Sequence, residues 1–484
     1  MDGKKDIFSS LAWKFSERLF SQGIGLIIQI IIARMIAPEA VGEMAILLSV
    51  INIFNVIAQS GFSSYIIQAK KLSDSTLSTI ATFSILIALG CMGLFGILGD
   101  TLMGILGYPQ LGIYLKISGI MLLFNAINGI CMGLLSKQMQ FKEMFIRTLI
   151  VLPLSAAVCF VLMLYGFDLE ALVAYNIANP LLTTIFLLQL LRKSQYHLRI
   201  QLTPVDLKAA LPYSVRVLMQ DMGNVVCNSL RSFIMGGLYT SSNLAYYDRA
   251  FTYTSYVEES VTYTASSVLL PALAKEQDNE ARFNRYIINS TALYSLVIIP
   301  ALLGFAAVSP TFTKLILTEK WIACVPYIFV FAIGFLHYPI LTIHRPAFLA
   351  RGRSDVTLKI TIMQNIVSLL AILLTLKISP LAIAVGTSIS LLAYIPLYTH
   401  ATQKYFGIPY LSQMGSMLKY ILLSAVMAAC VMPLNAILIN NAFKLILQIG
   451  VGAAIYTGLL FITKDRYFRE TLNAIKGRIR RRNG

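Results

Sequence analysis

Residues 13–59 read WKFSERLFSQGIGLIIQIIIARMIAPEAVGEMAILLSVINIFNVIAQ. Two apolar runs meet around Arg34–Pro38, and each is long enough to cross a hydrocarbon layer of about 30 Å at about 1.5 Å per helical residue. Along the first run Lys14, Arg18, Gln22, Gly25 and Gln29 recur every three or four positions, which places them on one helical face. Along the second, Asn52, Asn55 and Gln59 repeat the spacing. Apolar helices carrying a polar stripe, twice in succession, are the pattern of membrane spans that meet water or other protein on one side and lipid on the other.

The rest of the chain follows suit. Of 484 residues 57% are hydrophobic and 13% are charged, about half the charged fraction of ordinary soluble domains, so there is too little polar surface to cover soluble domains of this size. Further apolar segments bring the reading to fourteen spans, near residues 9–36, 41–64, 76–97, 116–134, 147–166, 169–191, 213–235, 243–271, 287–309, 323–345, 356–376, 379–399, 416–435 and 442–462. The fold class is all-α integral membrane: two six-helix lobes around a central cavity, plus two extra C-terminal helices. The divisions expected are 1–195 (spans one to six), 196–410 (spans seven to twelve), 411–463 (spans thirteen and fourteen) and a basic tail, 464–484. Pro153, Pro180 and Pro300 inside spans are expected at kinks. A linker around Arg192–Pro212 is the longest internal connection and separates the lobes.

The net charge of +17 is explained by orientation. With both termini inside, Lys and Arg gather in the cytoplasmic segments: Lys70–Lys71, Lys137, Lys142, Arg147, Arg192–Lys193, Arg345–Arg353 and the tail from Lys464 to Arg482. The outer loops retain Lys116, Lys314, Lys320, Lys377 and Lys444. This asymmetry implies an N-in, C-in topology, and nucleic acid is not an expected partner. The six cysteines are scattered without a CxxC pair and read as small buried hydrophobes. His344, beside Arg345, reads as a residue of a cytoplasmic helix end. No phosphate-binding GxxxxGK[ST] loop, HExxH motif or DxD pair occurs, so neither a metal nor a cofactor is expected and ATP-driven transport by this chain alone is excluded.

Polar stripes return in the seventh and eighth spans. Arg216, Gln220, Asn224, Asn228 and Arg231 share one face with Asp221 alongside, and Asp248, Thr252, Ser255, Glu259 and Thr262 share another beside Arg249 and Glu258. An unpaired charge at the bilayer centre costs about 2.5–3.5 kcal/mol, so these faces should line a wet cavity. One reading pairs Glu17, Asp221, Asp248, Glu258 and Glu259 with Arg18, Arg216, Arg231 and Arg249 as structural ion pairs, with Arg216 and Arg249 snorkelling from helix ends. The other makes the guanidiniums a receptor for phosphate oxygens and the amides (Gln22, Gln29, Asn224, Asn228) partners for sugar hydroxyls. In that reading Glu17, Asp221, Glu258 and Glu259 are candidates for proton or sodium coupling. Six tyrosines cluster in or near the eighth span, Tyr239, Tyr246, Tyr247, Tyr253, Tyr256 and Tyr263; core packing and interface belts explain them most simply.

The order of several stretches carries a resemblance. Trp13 to Gln22, then Ile32-Ala-Arg-Met-Ile-Ala-Pro-Glu-Ala-Val-Gly42, Gly61-Phe-Ser-Ser-Tyr-Ile-Ile-Gln68, Glu319-Lys-Trp321 with Pro326, and Gly352-Arg-Ser-Asp355 resemble the Wzx-type polysaccharide flippases. The likeness is to the colanic-acid and teichuronic-acid exporter branch of the multidrug/oligosaccharidyl-lipid/polysaccharide superfamily. It implies a non-enzymatic carrier with two lobes and alternating access. The implied cargo is undecaprenyl-pyrophosphate-linked oligosaccharide, moved to the outer leaflet of a bacterial inner membrane for O-antigen, capsule or exopolysaccharide, its polyprenyl tail in lipid along a groove made with spans thirteen and fourteen, with polymerase machinery as a further partner. Glu17 and Arg18 match the family's pair in the first helix, and Arg34 matches the arginine at that helix's outer end. The seventh span departs from the pattern: Arg231-Ser232 precedes Gly236-Gly237 where the family has Asp-Asn, a cation for an anion. A cation-coupled multidrug exporter of the same superfamily and a lipid II flippase remain alternatives. A glycan polymerase would need a larger external loop, and a scaffold would have little use for buried charge.

Overall fold

Helices begin and end where proline, serine and glycine are placed. The computed structural model describes residues 2–69, 72–192, 199–275 and 279–473. Lys70, Lys71, Lys193 and the tail from 474 onward lie outside the described residues, as do the side chains of Lys4, Lys5, Gln220, Asn224 and Tyr263. The helices are α1 (Asp2–Met35), α2 (Pro38–Gln59), α3 (Phe62–Gln68), α4 (Asp74–Ile105), α5 (Gly112–Ser118), α6 (Ile120–Lys137), α7 (Phe141–Leu164), α8 (Leu169–Leu191), α9 (Pro204–Leu238) and α10 (Ser241–Lys275). They continue as α11 (Glu280–Phe312), α12 (Val325–Gly334), α13 (Tyr338–Ala350), α14 (Ser354–Thr375), α15 (Pro380–Leu392), α16 (Tyr394–Phe406), α17 (Tyr410–Val431) and α18 (Asn441–Ile462). No strand occurs among the described residues.

Twelve helical stretches among the described residues are long and apolar enough to cross a membrane. The two expected spans that fall short are α9 and α10, each 35 residues long. Their length is ample at 1.5 Å per residue. What lowers their hydropathy is the polar stripe read from the sequence. Pro153, Pro180 and Pro300 lie inside α7, α8 and α11, which continue past them. The interruptions fall elsewhere. Ser60 and Gly61 adopt positive φ between α2 and α3, the 3₁₀ turn Phe335–His337 divides α12 from α13, and Ala393 divides α15 from α16.

The linker is shorter than expected. Helix α9 starts at Pro204, whose missing N–H costs nothing at a first helical turn, and runs through Pro212. The preceding segment lies along α4: the backbone N–H groups of Arg199, Gln201 and Thr203 donate to the hydroxyls of Ser78, Thr82 and Thr79 at 3.0, 3.2 and 3.1 Å. Ser75 and Thr76 in turn donate to the Asp206 carboxylate at 2.6 and 2.8 Å.

The chain forms two compact units, residues 1–245 and 246–484. In the first, α1 packs on α7 through Trp13 and Phe20 against Phe145. Phe62, Ile66, Ile80 and Leu134 form a core where α3, α4 and α6 meet. Helices α2 and α9 approach closely. Ser229 donates to Ser49 O at 3.0 Å, and a Cβ at Gly61 (φ 68°) would stand 2.6 Å from Ser214 O, so only glycine fits. In the second unit Phe283, Phe335, Phe348, Tyr398, Phe406 and Tyr420 dominate a core shared by α11, α13, α16 and α17. His344 is fully buried there, its Nδ1 2.8 Å from Thr402 Oγ1. It is not the helix-end residue expected, because six residues of α13 follow it.

Asp465, just after α18, accepts hydrogen bonds from Lys419 Nζ at 2.5 Å, from the Tyr420 hydroxyl and from the Phe468 N–H at 2.9 Å. It thereby ties the segment after α18 to α17. Cys91, Cys131, Cys159 and Cys324 are buried as expected of small apolar residues, whereas Cys227 is half-buried and Cys430 exposed.

Candidate functional site

Neighbouring charges on α1 part company. Glu17 turns toward α7, where Arg147 Nη2 lies 3.4 Å from its Oε1 and the Thr148 hydroxyl donates to the same oxygen at 3.0 Å. Arg18, about 100° further round the helix, is exposed. Gln22 and Gln29 on its stripe are half-buried, and Gln29 Oε1 is a buried acceptor with no hydrogen-bond partner. Asn55 Oδ1 on α2 is in the same condition. A buried amide oxygen left unsatisfied costs about 1–3 kcal/mol, so these two atoms favour a donor such as water or a ligand hydroxyl. Arg34 is exposed in the last turn of α1, where the helix dipole favours a cation.

On α9, Arg216, Asp221 and Asn228 are exposed and Arg231 is half-buried. Arg231 Nη2 donates to Asn228 Oδ1 at 2.6 Å, so two members of the stripe form one polar unit. The Ser229 hydroxyl, on the opposite side, is the one that packs on α2.

The second unit holds two ionisable groups inside its fold. Glu258 on α10 is 2% exposed and accepts a hydrogen bond from Thr262, whose hydroxyl also meets that of Tyr294 on α11. The Tyr338 hydroxyl of α13 faces the same carboxylate. Glu259, next along, is half-buried. Arg249, two turns into α10, is 8% exposed. Its guanidinium carbon lies 5.8 Å from the centre of the Trp321 ring, and its Nε has no hydrogen-bond partner. No carboxylate forms an ion pair with it among the described residues. Arg249 is therefore enclosed by protein rather than snorkelling from a helix end. Tyr246 and Tyr247 of this helix make ring contacts inside the unit. Tyr247 is buried edge-on to Phe331 and donates to Thr387 at 3.1 Å, and Tyr246 stands edge-on to Trp321.

Arg147, expected only among the cytoplasmic charges, engages Glu17 from a position 130 residues away. The ring of buried His337 lies against those of half-buried Tyr338 and Tyr394, a cluster not visible in the sequence because isolated aromatic or histidine residues in apolar runs give no periodic signal. An apolar groove of about 440 Å³ lies in the second unit, where one made with spans thirteen and fourteen is expected; it is lined by Gly304 and Phe305 of α11, Met427 and Val431 of α17, and Gly452 and Ala453 of α18. At one end Gln448 Nε2 donates to Asn435 Oδ1 at 2.9 Å. Among the described residues no three His, Cys, Asp or Glu side chains converge as a metal site would require.

Twelve helical stretches of membrane-crossing length among the described residues define a polytopic membrane protein. The chain belongs to the polysaccharide biosynthesis protein family, which it matches over residues 31–326. The family expected from the Trp13–Gln22, Ile32–Gly42 and Gly61–Gln68 stretches is the one found. The chain is 19% identical over 480 residues to the succinoglycan biosynthesis transport protein ExoT of Rhizobium meliloti (strain 1021), covering 98% of this chain and 96% of that one. It is 20% identical over 378 residues to the lipopolysaccharide biosynthesis protein WzxC of Escherichia coli (strain K12), covering 77% and 76%. A solved structure of the lipid II flippase MurJ in an inward closed conformation matches with a TM-score of 0.72 at 16% identity, covering 96% of this chain and 100% of that one. That likeness establishes the fold.

Proposed function

We propose that this protein is a flippase that carries undecaprenyl-pyrophosphate-linked oligosaccharide from the cytoplasmic to the outer leaflet of a bacterial inner membrane for surface-polysaccharide assembly. Both termini lie in the cytoplasm, and a polysaccharide polymerase receives the product. The observation that carries the reading is Arg249: an arginine 8% exposed, without a carboxylate partner among the described residues. A cation inside an apolar helical unit is costly unless a counter-charge arrives, and a pyrophosphate supplies it with the bidentate geometry that guanidinium favours. Arg18, Arg34, Arg216 and Arg231 assist, while Gln22, Gln29, Asn224 and Asn228 meet the glycan. Alternating exposure of these groups to either face replaces water around a headgroup that hydrocarbon would reject. The polyprenyl tail stays in lipid, along the groove bounded by α11, α17 and α18. Glu258, buried beside two tyrosines and a threonine, is the carboxyl best placed to couple transport to a cation. Glu17 is already engaged by Arg147, and Asp221 and Glu259 are less enclosed.

Outward movement of labelled polyprenyl-pyrophosphoryl oligosaccharide in reconstituted vesicles tests the proposal. Arg18→Ala, Arg231→Ala and Arg249→Ala should each slow movement by about 10-fold or more, the cost of a charge-assisted hydrogen bond. Normal transport by all three sinks the phosphate assignment. Export of ethidium-like cations without lipid-linked sugar would establish a drug exporter instead.

A further inference from the structure

The motif Glu319-Lys320-Trp321 buries a tryptophan beside a charged turn. It lies between α11 and α12, in a 3₁₀ stretch Glu319–Cys324 that follows a π-turn at Thr313–Leu317. Thr318, between the two, has φ 90°, a backbone region that a β-branched residue rarely occupies and that proteins retain where a side chain must be aimed. The residue so aimed is Trp321. Although its segment carries an ion pair of Lys314 and Glu319 at 3.2 Å, the indole is fully buried. One side of it meets Tyr246 edge-on at 5.9 Å, and the Tyr246 hydroxyl donates to Lys320 O at 3.4 Å. Its other neighbour is the Arg249 guanidinium, 5.8 Å from the ring centre.

An arginine can be held inside a protein by a carboxylate or by an aromatic face. A carboxylate neutralises it and occupies its N–H fork. An aromatic face attracts the cation through the ring quadrupole and leaves the fork free. Arg249 is held in the second way, with no acid among the described residues paired to it.

We propose that Trp321 is a positioning residue that keeps Arg249 desolvated yet unneutralised, so that the pyrophosphate of the cargo becomes its counter-ion. This rests on the assignment of Arg249 to phosphate binding made above. It adds a reason for selectivity: a site whose cation lacks an internal acid repels organic cations and accepts phosphoanions.

The chain contains two tryptophans, Trp13 and Trp321, so the contact can be tuned without changing its shape. In a Trp13→Phe background, fluorinated tryptophans of increasing substitution are incorporated at 321, and binding of farnesyl pyrophosphate to the full chain in nanodiscs is titrated. Fluorination empties the ring face of negative potential. Affinity should fall stepwise, by about 10-fold across the series, the size of a desolvated cation–π contact, and binding of farnesol should not change. A flat series overturns the proposal. The same series in Arg249→Ala separates the two layers. If Arg249→Ala weakens binding and fluorination then has no further effect, Trp321 acts through the arginine. If fluorination still weakens binding in that background, Trp321 is merely structural and the proposal fails while the phosphate assignment stands. If Arg249→Ala binds farnesyl pyrophosphate as tightly as the parent, the phosphate assignment itself fails. Trp321→Leu should behave as the most fluorinated variant and Trp321→Tyr as an intermediate one.

Discussion

At Gly61 one hydrogen atom in place of a methyl decides how two helices meet. Its φ of 68° and the 2.6 Å that would separate a Cβ from Ser214 O make alanine wrong twice over, by left-handed strain and by collision. Gly61→Ala should lower stability by about 2–4 kcal/mol, read as a fall in the thermal midpoint of detergent-solubilised protein. Gly107→Ala, with φ 85° but nothing within 4 Å, should cost about half as much. Residue-scale legibility in the sequence was uneven for a related reason. Arg18 and Arg231 announced themselves by spacing along one helix. The Glu17–Arg147 pair and the burial of His344 depend on which helix lies alongside, and no period within a single helix encodes that.

Helices bring such residues together, and a short segment after α18 shows how one is fixed. Burial alone would raise the Asp465 carboxyl. The Lys419 and Phe468 hydrogen bonds and the lysine's charge outweigh it and hold the carboxyl below its ordinary value of 3.8. A carboxylate whose folded value is depressed stabilises the fold fully above its unfolded value and loses that contribution as pH falls through the folded one. The difference in thermal midpoint between parent and Asp465→Asn should therefore stay constant from pH 7 down to about pH 4 and shrink below it. A difference that grows on acidification would show that the tie to α17 is not ionic. The helices themselves were largely foreseen, because apolar length is a local property. The breaks at Ser60–Gly61, Phe335–His337 and Ala393 were not, since the prolines that suggested kinks lie in helices that continue. The linker ended early at Pro204 because a helix-starting proline reads equally well as a loop residue.

On the scale of the whole molecule, the two units are of like size. The groove of about 440 Å³ along α11, α17 and α18 is the surface proposed above for the polyprenyl tail. Ala453 lines it and is exposed, so Ala453→Phe fills space without removing a native contact. That variant should slow vesicle transport of a long-chain polyprenyl-pyrophosphoryl sugar several-fold and leave a short-chain analogue unaffected; equal slowing of both would detach the groove from the tail. Composition and charge asymmetry made the membrane class plain. Of the groove, the two C-terminal helices were legible as a pair appended to the lobes, whereas its α11 wall was not, because Gly304 and Phe305 stand more than 100 positions from Met427 and Val431.

The connector before α9 has a practical meaning for anyone wishing to cut, tag or permute this chain. Its amides at Arg199, Gln201 and Thr203 rest on a ladder of α4 hydroxyls, so residues 199–203 act as a splint bonded to α4. An epitope spliced there would strip several polar contacts at once, while the open turn at Gly166, with nothing within 4 Å, offers a gentler point of entry.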